Sequence, residues 1–381
     1  MASRKGIVAL LAVALVVATA GTALAAKEIR IGVSAPITGD IAALGQSTKN
    51  AALMAEEEIN AKGGLKVGKE KIKVKFVIED DENKPESTAT VFQKLINQDQ
   101  VLAIIGSQSS KCSNAGAPIA EAAGVPQISP WSTNPNVTKG KQFVFRACFI
   151  DPFQGKVVAM FAKNRLKAKT AAVLYDVASD YNKGIAEVFK EEFARAGGKV
   201  VAFETYTTGD KDFSAQLTKI KTANPDVLFL PNYFNEVPLQ VQQAHKLGLK
   251  AKVIGSDSWD SPDLLKLGAE YLEGTYFSNH YSPDVKNPIS DKFVAAYEKK
   301  FGMKPDAAGA LTYDAAYIVF QAIEKAGKLD RKAIRDALAQ TKGFKGVTGT
   351  ITFAGSPDPV KSAVMIKITG GKFVYDSTVN P

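Results

Sequence analysis

"VLAIIGSQSSKCSNAGAPIAEAAGVPQISP" (Val101–Pro130) decides the fold. A short apolar run ends in a serine-rich loop, a helix-like segment over 114–123 follows, and a second apolar run closes the unit. Strand-length apolar runs alternating with helix-period segments imply parallel strands joined by right-handed crossovers. The same beat extends toward the N-terminus. "EIRIGVSAPI" leads to a helix over 45–61, then "KIKVKFVIED", then a helix over 85–98. It starts again after residue 169: "TAAVLYD", a helix over 182–196, "KVVAFETY", a helix over 213–223, "DVLFLPN", a helix over 236–247 and "KVIGSDSW".

The pieces between the series read differently. "FRACFIDPFQG" and "GTYFSNHYSP" read as short extended segments, and helices over 290–301, 308–326 and 331–339 come after the second. "GTITFAGSPDP" then carries the chain to a hairpin, "SAVMIKITGGKFVYD", whose "GG" suits a two-residue turn. The expected architecture is two doubly wound α/β lobes joined by a three-segment hinge. The expected boundaries are 27–148 plus 281–351 for the N-terminal lobe and 152–277 plus 355–381 for the C-terminal lobe. In open α/β sheets ligands sit beyond the carboxyl ends of the strands, which makes the interlobe cleft the default site.

At 381 residues, 45% hydrophobic and 23% charged, the composition is that of a soluble globular protein longer than one typical core. Arg4 and Lys5, the apolar "GIVALLAVALVVATA" and the small residues Ala23–Ala25 read as a signal peptide over 1–25. A secreted, periplasmic location is therefore expected. Arg4 and Lys5 account for two of the nine formal positive charges, leaving the mature chain at about +7. The excess lysine is dispersed; its densest cluster, "KGGLKVGKEKIKVK", alternates with apolar and glycine residues as a solvated hairpin face would. No aromatic platform accompanies it, so nucleic acid is not an expected partner. Two histidines, His245 and His280, in no ligand spacing with the two cysteines give no zinc site. Cys112 and Cys148 are left as either a single disulfide or two buried thiols.

The loop "GSQSS" lies at a strand's carboxyl end and a helix N-terminus, where unpaired N–H groups and the helix dipole favour an anion. Ser110 or Ser113 could complete its shell, or one serine could simply cap the helix. A nucleophilic serine needs a base, and with no G-x-S-x-G and only two histidines a secreted serine hydrolase is weakly supported. Neither a P-loop nor a G-x-G-x-x-G occurs, and no cofactor is implied. The next strand ends in "ISPWSTNP", bringing Trp131, Ser132 and Thr133 toward the same cleft. In the second lobe, strand ends carry Tyr181, Tyr233 and Asp257. An acid facing a hydroxyl cradle suits a zwitterion, although Asp257 could instead cap a helix.

In their order and spacing, "IRIGVSAPITGDIAALGQ", "INAKGG", "AIIGSQSS", "ISPWSTNP", "FRACFIDPFQG", "KDFSAQLTKIK", "VQQAHKLGL" and "TYDAAY" make the chain resemble the periplasmic solute-binding proteins of ABC importers, of the leucine/isoleucine/valine-binding type. The resemblance runs from about Lys27 to the C-terminal hairpin. It implies a monomeric, non-enzymatic receptor that closes on an amino acid and delivers it to an inner-membrane permease. It implies that Ser110 holds the α-carboxylate, that Thr133 contacts the same head, and that Trp131 stands where a small residue binds through its backbone. It further implies that Tyr181 and Tyr233 close over the ligand and that Asp257 takes the ammonium, where the branched-chain binders have the longer glutamate. Two features depart from the pattern. A pocket tyrosine falls at Leu44, and the two positions of the family disulfide fall at Asn83 and Ser109. A binder of an aromatic or aliphatic carboxylate or an amide, or a ligand sensor, is the rival reading.

Overall fold

The computed structural model describes residues 28–353 and 355–381; the signal-peptide reading lies outside them. The first lobe begins β1 (Glu28–Ala35), α1 (Ala42–Ala61), β2 (Leu65–Val67), β3 (Glu70–Asp80), α2 (Pro85–Asn97), β4 (Ala103–Ile105), α3 (Ser110–Ala122), β5 (Gln127–Ser129) and β6 (Val144–Arg146). These strands form one sheet in the order β2-β3-β1-β4-β5-β6, parallel except for the β2–β3 hairpin. The central strands β4 and β5 are buried along their whole length, as helix-covered parallel strands must be. In β3 the lysines of the charged cluster alternate with buried Ile72, Val74 and Phe76, so that cluster is a solvated face.

The second lobe follows with α4 (Asp151–Met160), β7 (Thr170–Asp176), α5 (Asp180–Arg195), β8 (Lys199–Tyr206), α6 (Ser214–Ala223), β9 (Val227–Leu230), α7 (Val237–Lys246), β10 (Lys252–Gly255), α8 (Pro262–Leu272) and β11 (Tyr276–Asn279). The chain then returns through α9 (Pro288–Phe301), α10 (Ala307–Ala326), α11 (Arg331–Ala339), β12 (Phe344–Gly346) and β13 (Gly349–Ile351). It ends in β14 (Ala363–Thr369) and β15 (Lys372–Val379), which complete a second sheet, β15-β14-β11-β10-β9-β7-β8. Helix α10 packs on α1 and across β4 and β5, so the returning helices belong to the first lobe. Among the described residues the chain passes between the sheets three times, after β6, after β11 and after β13.

The terminal turn is the expected one: Gly370 and Gly371 have φ of 59° and 67°, as a type I′ turn requires, and Thr369 pairs with Lys372. One reading needs correction. "FRACFIDPFQG" is extended only through Ile150; α4 starts at Asp151, with Pro152 in its first turn, where a missing N–H costs nothing. Of the two alternatives left open for Cys112 and Cys148, the structure has the second: both are free, buried thiols. Cys112 Sγ sits 3.7 Å from Asn83 Oδ1 at the start of α3, whereas Cys148 Sγ sits 3.3 Å from the Ser132 carbonyl in the first crossing. Burial pushes both thiols up, to about 11 and about 12, so neither is a thiolate at neutral pH.

Candidate functional site

Strand β4 is followed by Gly106, where a Cβ would lie 2.3 Å from the Ser34 carbonyl; only glycine lets the loop leave the sheet over β1. The loop's hydroxyls then divide their work. Ser107 Oγ donates to buried Asp81 (2.5 Å), and Ser113 Oγ reaches the Ser107 carbonyl (3.0 Å) and Ser132 Oγ (2.7 Å). Ser109 is the N-cap of α3 but caps nothing with its side chain: its hydroxyl donates to Asn83 Oδ1 at 2.6 Å. A hydrogen-bonded pair thus stands where the resemblance places a disulfide. Because no side chain caps α3, its first-turn N–H groups and dipole stay available to an anion.

Ser110, Trp131, Tyr181, Tyr233 and Asp257 come together, with Gln108 and Ser109, around one gap between the lobes. Ser110 is buried, and its Oγ accepts only the Asn134 N–H, at 3.2 Å, leaving its proton free to donate. Trp131 meets Tyr233 edge-on at 6.2 Å, and Tyr233 lies 5.7 Å from Tyr181. The Trp131 indole N–H and both amide atoms of Gln108 are buried without a hydrogen-bond partner among the described residues. Buried polar groups are normally satisfied, so orphans gathered at one gap mark a place built for something else to bind.

Asp257, 1% exposed, opens a short 3-10 turn rather than capping α8, a role Ser261 takes. It accepts Tyr181 Oη and Gln154 Nε2, each at 2.6 Å, on Oδ1, and meets His280 Nε2 at 3.0 Å on Oδ2. Burial lowers the His280 pKa, and its Nδ1 has no partner, which describes a neutral ring donating from Nε2. Burial and the Asp257 charge raise the Tyr181 hydroxyl, so it stays a donor. A carboxylate has roughly four acceptor positions; the donors on Asp257 leave about one open. No lysine or arginine is in direct contact with it among the described residues.

Ser132 and Thr133 stand behind the gap. Ser132 Oγ is spent on Ser113 Oγ and the Gln108 carbonyl (3.0 Å), while the Thr133 carbonyl receives the Asp151 N–H at 3.0 Å. Leu44 is buried and does not line the gap. Sequence reasoning missed Gln108, Gln154 and His280. Gln154 was hidden by reading "DPFQG" as extended, and His280 by its place in a crossing, where no periodicity marks a buried side. Neither histidine is hydrogen-bonded to a serine among the described residues: His280 is engaged with Asp257, and His245 lies on α7 beside Tyr271.

The lobes are in contact. Asn114 Nδ2 donates to Asp180 Oδ2 at 2.8 Å and Asn134 Nδ2 to the Asp180 carbonyl at 3.0 Å. The gap they enclose measures about 10 Å³, the space of a single water, so any larger occupant requires the lobes to part.

Two α/β lobes around a cleft of hydroxyls and a buried acid are the architecture of the two-lobed binding proteins. The periplasmic binding protein family matches residues 28–367, and the chain belongs to that family. It is 32% identical over 344 residues to a Leu/Ile/Val-binding protein homolog of Brucella melitensis, covering 90% of this chain and 91% of that one. The leucine-binding protein of Thermotoga maritima superposes with a TM-score of 0.88 at 38% identity, covering 93% of this chain and 99% of its own. The branched-chain amino acid transporter substrate-binding protein of Streptococcus pneumoniae, solved with isoleucine, gives 0.87 at 34%, covering 93% and 100%. A Rhodopseudomonas palustris solute-binding protein holding 3,4-dihydroxybenzoic acid gives 0.82 at 25%, covering 93% and 97%.

Proposed function

We propose that the chain is the periplasmic substrate-binding component of an ABC importer, with lobes 27–148 plus 281–351 and 152–277 plus 355–381, and that it captures a branched-chain or related α-amino acid for a membrane permease. The orphaned donors of Gln108 and Trp131, set beside Ser110 and the uncapped start of α3 and facing Asp257, carry this reading. The α-carboxylate lies on the first-lobe donors, and the ammonium takes the remaining acceptor of Asp257. Tyr181 and Tyr233 cover the aliphatic part. The isoleucine complex of the S. pneumoniae relative supports the ligand class. The mature chain acts as a monomer, and capture shifts an open–closed equilibrium toward the closed lobes.

A second reading rests on the crowding of Asp257 by three donors and on Trp131 in the wall: an aromatic carboxylate would use the anion cradle and ignore the acid. The R. palustris relative with 3,4-dihydroxybenzoic acid is consistent with it. Titration calorimetry of residues 27–381 with L-leucine, L-isoleucine, L-valine and benzoate separates the two. Saturable binding of an amino acid is expected, weakened tenfold or more, about 1–2 kcal/mol, in Ser110→Ala and lost in Asp257→Ala. Binding of benzoate without any amino acid, unchanged in Asp257→Ala, overturns the amino-acid reading.

A further inference from the structure

A second cavity, of about 460 Å³, lies between the lobes and shares no lining residue with the gap at Ser110. Its walls include Asp260, Leu265, Ile366 and Phe373 from the second lobe, Asp306 from the first and Tyr281 from the middle crossing. Asp306 is the N-cap of α10, and its Oδ1 accepts Ser47 Oγ at 2.6 Å and the Gly309 N–H at 2.8 Å. No other described residue donates to its Oδ2, although Asp306 is only 9% exposed and forms part of the cavity wall. From the opposite lobe, Asp260 Oδ2 accepts the N–H of Ala307, the very next residue, at 2.7 Å.

Two carboxylates from opposite lobes therefore meet inside a largely apolar chamber. Burial raises both, and the Asp260 charge raises Asp306 further. Two exposed lysines, Lys304 and Lys372, also line the cavity; Lys304 Nζ lies 4.0 Å from Asp284, and neither lysine is ion-paired with Asp260 or Asp306 among the described residues. A hard metal ion would need six or more oxygens, and the walls are mostly apolar. We propose that this cavity is a second ligand site that binds a protonated organic amine, its ammonium between Asp306 Oδ2 and Asp260 and its apolar body against Leu265, Ile366 and Phe373. The volume falls within the 300–1,000 Å³ of small-molecule sites.

The probe is phenethylamine hydrochloride, titrated calorimetrically into residues 27–381 at constant ionic strength, with 2-phenylethanol as its uncharged counterpart. One saturable site is expected, at least tenfold weaker for 2-phenylethanol and at least tenfold weaker in Asp306→Asn, a change that keeps a helix-capping side chain. Leu265→Trp, which adds bulk to the chamber wall and leaves both acids in the sequence, is expected to abolish binding. Ser110→Ala is expected to retain it, so failure at this site and failure of the amino-acid reading are distinguishable. Equal affinity for 2-phenylethanol, undiminished binding in Asp306→Asn or in Leu265→Trp, or loss of binding in Ser110→Ala overturns the proposal.

Discussion

Asp151 shows how much a single buried acid can govern. It lies in the first turn of α4, fully enclosed, with neither carboxyl oxygen paired. Burial pushes its pKa up to about 7 from 3.8, and the nearby Asp257 charge adds to the rise. A carboxyl raised in the folded state contributes stability that is full below the unfolded value and is lost as pH climbs through the folded one. Between about pH 4 and pH 7 the wild-type chain should therefore lose stability relative to Asp151→Asn, by up to a few kcal/mol. Chemical denaturation of both proteins across that range, with parallel pH profiles as the contrary result, checks it. At this scale the sequence named most of the gap's residues, because Ser110, Trp131, Tyr181, Tyr233 and Asp257 all follow strand ends. It could not name Gln154 or His280, whose roles depend on what folds over Asp257.

Helix α3 begins at Ser110, four residues before the start expected from the sequence at 114, because Ser, Lys, Cys and Ser carry no apolar periodicity. Tertiary contacts hold that first turn: Ser113 is braced to the Ser107 carbonyl, and Ser109 is tied to Asn83 across to the loop before α2. The tie is a hydrogen bond at the place where the family resemblance puts a covalent bridge. Asn83→Cys with Ser109→Cys, made in a Cys112→Ala background because Cys112 Sγ also reaches Asn83, should form that bridge on oxidation. Closing a loop of this length should stabilise the lobe by about 3 kcal/mol, read as a rise in unfolding midpoint that reductant reverses. Free thiols persisting after oxidation would show that the two positions are not correctly placed.

Across the whole molecule, the three crossings are fastened to one another. Arg146, at the end of β6 and fully buried, donates to Asp358 Oδ1 at 2.6 Å in the third crossing. It also reaches the Ser132 carbonyl at 2.6 Å and Thr138 Oγ1 at 2.8 Å. His280 of the second crossing stacks on Phe149 of the first at 3.6 Å, and Lys361 of the third donates to the Ala147 carbonyl at 3.1 Å. Arg146→Ala strands these acceptors and should cost about 3–5 kcal/mol, measurable as a lowered denaturation midpoint. A loss below about 1 kcal/mol, the worth of an exposed ion pair, would mean that the clasp carries no weight. Apart from α4, which was read as extended, the alternation of strands and helices, the glycine turn of the last hairpin and the return of the chain between lobes were legible, since periodicity and turn chemistry are local. Whether Cys112 and Cys148 pair, how Asp257 is held and where a second chamber opens were decided only by the tertiary structure. Each depends on which side chains from distant segments share one buried space, and nothing in the local order of residues encodes that distance.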